Sequence, residues 1–400
     1  MIPSVRTQFN RDFTPEKYEA FLQSVADGFG EASTFRVCET PVFVPRGLKQ
    51  QLIEAVDQIN DVICHPDFNK NAVAAIKMPE LNVPDEDEHA LFLQYDFGIC
   101  EDGKGSLIPQ MIELQGFPSL YYFQYLLGRS YRRHFNIPEG YHTFFNGLDE
   151  AAYLQILKEA IVGGHDPKNV ILLEIEPEKQ NTRIDFWGAE KLLGIKVLCL
   201  SKLMREDRDL FYLDDAGKKV EVRRIYNRII FDELLRRPDL PRQFNLTEPI
   251  NAEWAGHPNW FMKISKFTMP SLKNRYVPET FFVHELPAIP DDLEHYVLKP
   301  LFSFSGEGVK FNVEKSDIEN LKNPEDYILQ KKATYARAIQ TPDPNDPAKC
   351  EIRMMMIWPK NQPRPMLVNN LIRITKGEMV GVKYNKNKDW VGASVGFFEP

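Results

Sequence analysis

Apolar positions along the chain recur in two rhythms. Leu48, Leu52, Ile53, Val56, Ile59 and Ile63 lie at helical spacing and predict a helix over residues 47–64. Residues 15–27 read the same way, with Thr14 placed to cap and Pro15 at the first helical position. Residues 81–88, acidic and flanked by Pro, predict a loop. Residues 90–98 and 107–115 predict two strands joined by a polar turn over 101–106. An aromatic-rich helix is expected over 119–131 and an amphipathic one over 149–163.

Further on, the short apolar run 169–175 predicts a buried strand, 181–194 a helix and 196–200 another strand. That βαβ order calls for a parallel sheet with a right-handed crossover. A hairpin over 210–222 and a strand over 224–230 complete this part. The last hundred residues differ, with expected strands at 295–300, 309–313 and 327–330 and a short helix at 316–321. Segments 352–358, 366–375 and 379–383 then look antiparallel. The class expected is α/β with α+β portions.

Of the 400 residues, 43% are hydrophobic and 26% charged, an ordinary soluble balance and room for two or three domains. Lys and Arg total 49 against 57 Asp and Glu, a net charge of -8, which argues against a general nucleic-acid binder. No apolar run approaches the roughly 20 residues needed to span a bilayer. The N-terminus lacks the basic-then-apolar plan of a signal peptide, so the expected place is the cytoplasm, with no membrane partner. The five cysteines are scattered and form no CxxC, which predicts free thiols.

Four segments carry chemistry. In residues 296–311 a strand delivers Lys299 into a small-residue loop holding Ser303, Ser305, Gly306 and Gly308, where backbone N–H groups can approach polyphosphate oxygens. It is neither a Walker loop nor a dinucleotide fingerprint. The strand at 327–330 ends in Gln330 and Lys331 and offers a backbone edge to a nucleobase. Arg373 lies on a strand in the outward register between Ile372 and Ile374, where it can clamp a carboxylate, and the small residues 392–396 read as a closing lid or a turn. Glu113 and Gln115 are two apart and share a strand face, with Asp96 on the preceding strand, a spacing that suits Mg2+ bound also by nucleotide phosphates.

Taken in order, these segments resemble the circularly permuted ATP-grasp proteins of the eukaryotic-type glutathione synthetase family, a group that includes glutathionylspermidine synthase-like ligases. The matching pieces are Asp96-Phe97, Glu113-Leu-Gln115, Tyr226-Asn-Arg228, Val297-Leu-Lys-Pro300 with its loop, Ile328-Leu-Gln330, and Leu371 to Lys376 with the segment 392–396. The family's Asn metal ligand is Gln115 here, its hinge acid is Gln330, and its Arg before the D-F pair is absent.

The resemblance implies a nucleotide held between two antiparallel-sheet lobes beside a parallel substrate domain. It implies an N-terminal helical layer over 1–89, a metal-strand part over 90–165, a substrate domain over 166–250 and a nucleotide lobe with its lid over 251–400. Lys266, Lys299, Ser303, Ser305, Gly306, Gly308, Gln330, Lys331 and Lys376 would hold ATP, and Glu113, Gln115 and Glu307 would hold Mg2+. Arg228 and Arg373 would hold substrate carboxylates in the catalytic centre, and Asp96, Ser119, Glu178, Asn181 and Arg183 would line the substrate. Lys263, Lys266 and Lys273 read otherwise as a solvated basic patch. The implied reaction is ATP-dependent joining of a carboxylate to an amine, in a homodimer. Two other activities remain open: nucleotide binding without ligation, and phosphotransfer.

Overall fold

The computed structural model describes residues 1–302, 308–377, 380 and 385–400. The chain begins with helices α1 (Pro3–Asp12) and α2 (Pro15–Phe29), strand β1 (Val42–Val44), helix α3 (Arg46–Ile63) and the short α4 (Phe68–Ala72). Thr14 caps α2 by accepting the Lys17 N–H, and Gly30 closes it in a left-handed turn. Helix α3 buries the stripe that its apolar spacing marks, Leu48, Leu52, Val56, Ile59 and Ile63, against the core. Helix α1 escaped the sequence reading. It is held by the buried Arg6, whose guanidinium lies over the Phe9 ring and donates to Thr40 and the Pro41 carbonyl.

Strands β2 (Phe92–Glu101) and β3 (Leu107–Gln115) form the expected hairpin, followed by α5 (Tyr121–His134) and α6 (Glu150–Val162). Next come β4 (Val170–Glu174), α7 (Arg183–Leu193), β5 (Lys196–Cys199), the small antiparallel sheet β6 (Met204–Glu206), β7 (Asp209–Leu213) and β8 (Lys219–Val222), then β9 (Arg224–Asn227), α8 (Phe231–Leu235) and β10 (Glu253–Ala255). Strands β10, β9, β4 and β5 lie side by side, all parallel, as the βαβ pattern requires.

After α9 (Asn259–Lys263) the chain makes β11 (Thr280–Phe282), β12 (Tyr296–Pro300), α10 (Lys315–Glu319) and β13 (Tyr327–Lys331), an antiparallel sheet in the order β11-β13-β12. Strands β14 (Lys349–Ile357), β15 (Met366–Thr375) and β16 (Gly392–Ser394) join the early hairpin in a second antiparallel sheet, β16-β15-β14-β2-β3. Strand β17 (Gly396–Phe398) pairs with β1, so the two ends of the chain lie together.

Three expectations need correction. Residues 309–313 do not form a strand; among the described residues a single bridge, from Lys310 to Leu298, pairs there. Segment 392–396 is not a free lid: Gly392, Ala393 and Ser394 pair with Ile374, Arg373 and Ile372, and Ala393 also bonds the backbone of Arg36 and Cys38. Gly392 sits at φ 126 with its Cα against the Arg36 carbonyl, so its glycine serves close approach rather than mobility. Lys263 and Lys266 are buried rather than a solvated patch. The expected strand 379–383 lies outside the fully described residues.

Candidate functional site

One face of the five-stranded sheet is polar where sheets usually bury apolar side chains. Cross-strand register places Asp96 opposite both Glu113 and Arg353, and Glu351 opposite Arg373. Alternation then sends all five to one side. Arg353 grips Asp96 with two prongs, Nε to Oδ1 at 2.5 Å and Nη2 to Oδ2 at 2.7 Å, while its Nη1 donates to Gln94 at 3.0 Å. Arg373 donates to Asp96 as well and pairs with Glu351 at 2.7 Å; the Tyr335 hydroxyl also reaches Glu351. Burial works to raise the Asp96 carboxyl, but the two guanidiniums outweigh it and hold the group below its ordinary value. Asp96 therefore has both oxygens engaged by arginines and acts by fixing them.

Beside this pair the two antiparallel sheets meet. Lys299, on β12 of the small sheet, reaches across to the Ile112 carbonyl of the large one at 2.9 Å and to Gln330 Oε1 at 2.7 Å. Burial pushes its ammonium down to about 8, and Glu113 works against that shift. Lys266 pairs with Glu113 at 3.2 Å, and the Glu113 side chain keeps 37% of its surface open. Gln115 spends its amide N–H on Gln94 at 2.6 Å and the Phe117 carbonyl at 3.2 Å. The Gln94 amide continues to the Ser119 carbonyl at 2.8 Å.

A second cluster lies at the carboxyl ends of β4 and β9. The Arg228 guanidinium is buried, 4.6 Å over Phe117 and 5.5 Å from Phe186, and its Nε and Nη1 have no hydrogen-bond partner among the described residues. The buried hydroxyls of Tyr122 and Tyr226 likewise find no partner among the described residues. Burial pushes the neighbouring Glu174 carboxyl up to about 8, with Arg228 opposing. Such orphaned polar groups are rare in folded proteins and costly without a ligand or water. Asp185 does a structural task here: it accepts the Tyr122 and Phe123 N–H groups at the start of α5, at 2.8 and 2.9 Å.

The structure thus brings together Asp96, Glu113, Gln115, Lys266, Lys299, Gln330 and Arg373 from the sequence expectation. It sends others elsewhere. Lys331 alternates to the opposite side from Gln330 and pairs with Glu279 in solvent. Lys376 pairs with Asp346 and Asp389. Arg183 is tied to Glu31, and Asn181 gives its carbonyl to Thr34. Glu178 is exposed near the end of β4. Gly308 makes a left-handed turn at φ 72. Ser303, Ser305, Gly306 and Glu307 lie outside the described residues. Sequence reasoning missed Glu351, Arg353 and Glu174. The signal for the first two was present, charges at alternate positions 349, 351 and 353 leading into the apolar run that ends β14.

No protein-family model matches the chain, and no curated protein matches it. Among solved structures, a glutathione synthetase-like effector from Globodera pallida superposes with a TM-score of 0.53 at 13% identity, over 96% of this chain and 99% of its own. A putative gamma-glutamylcysteine synthetase from Methylobacillus flagellatus reaches 0.39 at 11% identity over 87% of each chain, too loose a likeness to argue from. The chain therefore has a glutathione synthetase-like fold, a mixed α/β architecture with both parallel and antiparallel sheets. Among the described residues no helix is long and apolar enough to cross a membrane.

Proposed function

We propose that the chain is an ATP- and Mg2+-dependent carboxylate–amine ligase of the permuted ATP-grasp kind, acting through an acylphosphate on a small amino-acid or peptide-like substrate. The observation that carries this reading is the seat of Lys299: a buried ammonium at the meeting of two antiparallel sheets, with Lys266 and the half-open Glu113 beside it. Cations gathered at the joint of two lobes favour an anionic ligand. The fold likeness to a synthetase-like effector agrees.

In the proposed reaction the substrate carboxylate takes the γ-phosphoryl group of ATP and ADP leaves. An amine then attacks the acyl carbon and expels phosphate. Lys299 and Lys266 neutralise phosphate oxygens, and Arg228 and Arg373 receive carboxylates. Asp96 and Arg353 fix Arg373 in place, so its charge needs no reorganisation during the reaction. The residues at 113 and 115 fit a hard cation that takes its other ligands from phosphates. Glu113 is half-open, and Gln115 donates its N–H groups while its oxygen accepts from no described residue, so that oxygen can ligate. Mg2+ bound there would neutralise and orient phosphate oxygens. No protein nucleophile is called for.

The test is phosphate release from ATP and Mg2+ over pairs of small carboxylates and amines. Release that needs both partners and is lost in Lys299→Met supports ligation. A second reading, nucleotide binding alone, is favoured by two departures in the sequence: Gln115 stands where the family has an Asn metal ligand, and the family's Arg before the D-F pair is absent. ATP that raises the melting temperature without any pair supporting release would decide for it.

A further inference from the structure

The carboxyl ends of β4 and β5 open into a cavity of about 500 Å3 whose lining includes Glu178 and none of the residues clustered around Lys299. Ligand sites of open parallel sheets collect at this edge, and the volume suits a small molecule. Trp187 of α7 and the buried Leu240 form apolar walls. The indole is fixed, because its Nε1 donates to Glu31 at 2.5 Å. At the strand ends Cys199 Sγ accepts from the Ser201 hydroxyl at 3.1 Å and the Glu176 N–H at 3.3 Å.

Not every charge on the rim is available. Glu176 pairs with Lys179 and Arg237, and Arg237 also pairs with Asp239. Glu178 and Lys202 remain: both line the cavity, both are exposed, and neither forms an ion pair with a described residue. The recognition set left over is one carboxylate, one ammonium and an apolar wall. A polyanion would meet as many carboxylates as cations here, and a purely apolar molecule would strip water from both charges without replacing it. A zwitterion satisfies both charges and the wall.

We infer that this cavity binds a free α-amino acid with an apolar side chain: its carboxylate on Lys202, its ammonium on Glu178, its side chain against Trp187 and Leu240. The inference does not rest on the ligase reading, since none of these four residues belongs to the cluster around Lys299.

Cys199 provides the readout. The intact protein is labelled with N-ethylmaleimide in the presence and absence of leucine, methionine or phenylalanine, and labelling is followed by mass spectrometry. Cys38, Cys100 and Cys350 are buried, and the half-buried Cys64, which is outside the cavity, is the internal control. At a concentration ten times its dissociation constant, one of these amino acids should slow Cys199 labelling about tenfold and leave Cys64 unchanged. Lys202→Glu and Glu178→Lys, both at exposed positions, should each abolish the protection without changing the melting temperature. Amino-acid amides, which lack the carboxylate, should protect less. The inference is overturned if none of the three protects, if Cys64 slows equally, if both charge reversals keep protection, or if Cys199 in the free protein does not label at all.

Discussion

Asp96 and Arg353 sit directly across from each other on neighbouring strands and form a two-pronged, buried ion pair. Removing one partner from such a pair is far more damaging than removing both, because the survivor is left charged without solvent. Asp96→Ala strands two guanidiniums and should cost about 3–5 kcal/mol by urea denaturation. Arg373→Met removes a half-open group and should cost less, while weakening any carboxylate ligand. The pH dependence follows from the lowered Asp96 value. A carboxyl whose folded value is depressed contributes stability that is present above the unfolded value, about 4, and lost as pH falls through the folded one. Asp96→Asn should remove that acid limb of the stability profile, and an unchanged limb would show that other carboxyls carry it.

Lys299 makes an opposite prediction at high pH. Its folded value, about 8, lies below the ordinary lysine value of 10.5. Between these two the unfolded chain holds a proton that the folded chain has lost, so stability rises with pH across that window. Lys299→Met should abolish the rise. Nucleotide binding should move the other way, because the ammonium that attracts phosphate is lost above about pH 8. The melting shift given by ATP should therefore shrink from pH 7 to 9.5 in the wild type. It should persist in Lys299→Arg, which stays charged.

The elements were more legible in the sequence than the site. The stripe Leu48 to Ile63, the β4–α7–β5 unit and the hairpin of β2 and β3 all follow from local periodicity, and the structure contains each of them. The pairing of β2 with β14 joins residues about 255 positions apart, Asp96 with Arg353 among them, and no local pattern announces it. Lys263 and Lys266 looked like solvent lysines because short-range spacing cannot show a distant carboxylate. Glu86 and Glu113 are what make their burial affordable. Residues 309–313 carry the alternation of a strand, yet among the described residues they find a partner at one point only.

Arg228 separates a functional role from a structural one. A buried guanidinium with two N–H groups unpartnered among the described residues destabilises the fold unless something pairs with it. Arg228→Met keeps the stem against Phe117 and Phe186 and removes the charge. The variant should be as stable as the wild type or more stable by about 1–3 kcal/mol. It should also lose any melting shift that carboxylate substrates give the wild type. A strong destabilisation would mean that Arg228 is paired within the folded chain and holds no ligand.

Glu174 tests the same neighbourhood by pH. Its folded value of about 8 lies well above the ordinary 4.5, because burial opposes the charge more than Arg228 favours it. Between those values the folded protein keeps a proton that the unfolded chain has released, so stability falls as pH rises from 4.5 to 8. Glu174→Gln keeps the shape and the hydrogen-bonding oxygen that accepts the Ile175 N–H. It should leave stability near pH 4 unchanged and raise it at pH 8, on the order of 4 kcal/mol from a shift of this size. In the double variant with Arg228→Met the gain should grow, since the cation that partly supports the charged carboxylate is gone. Chemical denaturation of the four proteins at pH 4.5 and 8 reads both effects. Equal gains in the two backgrounds would show that Arg228 and Glu174 do not sense each other across the end of the parallel sheet.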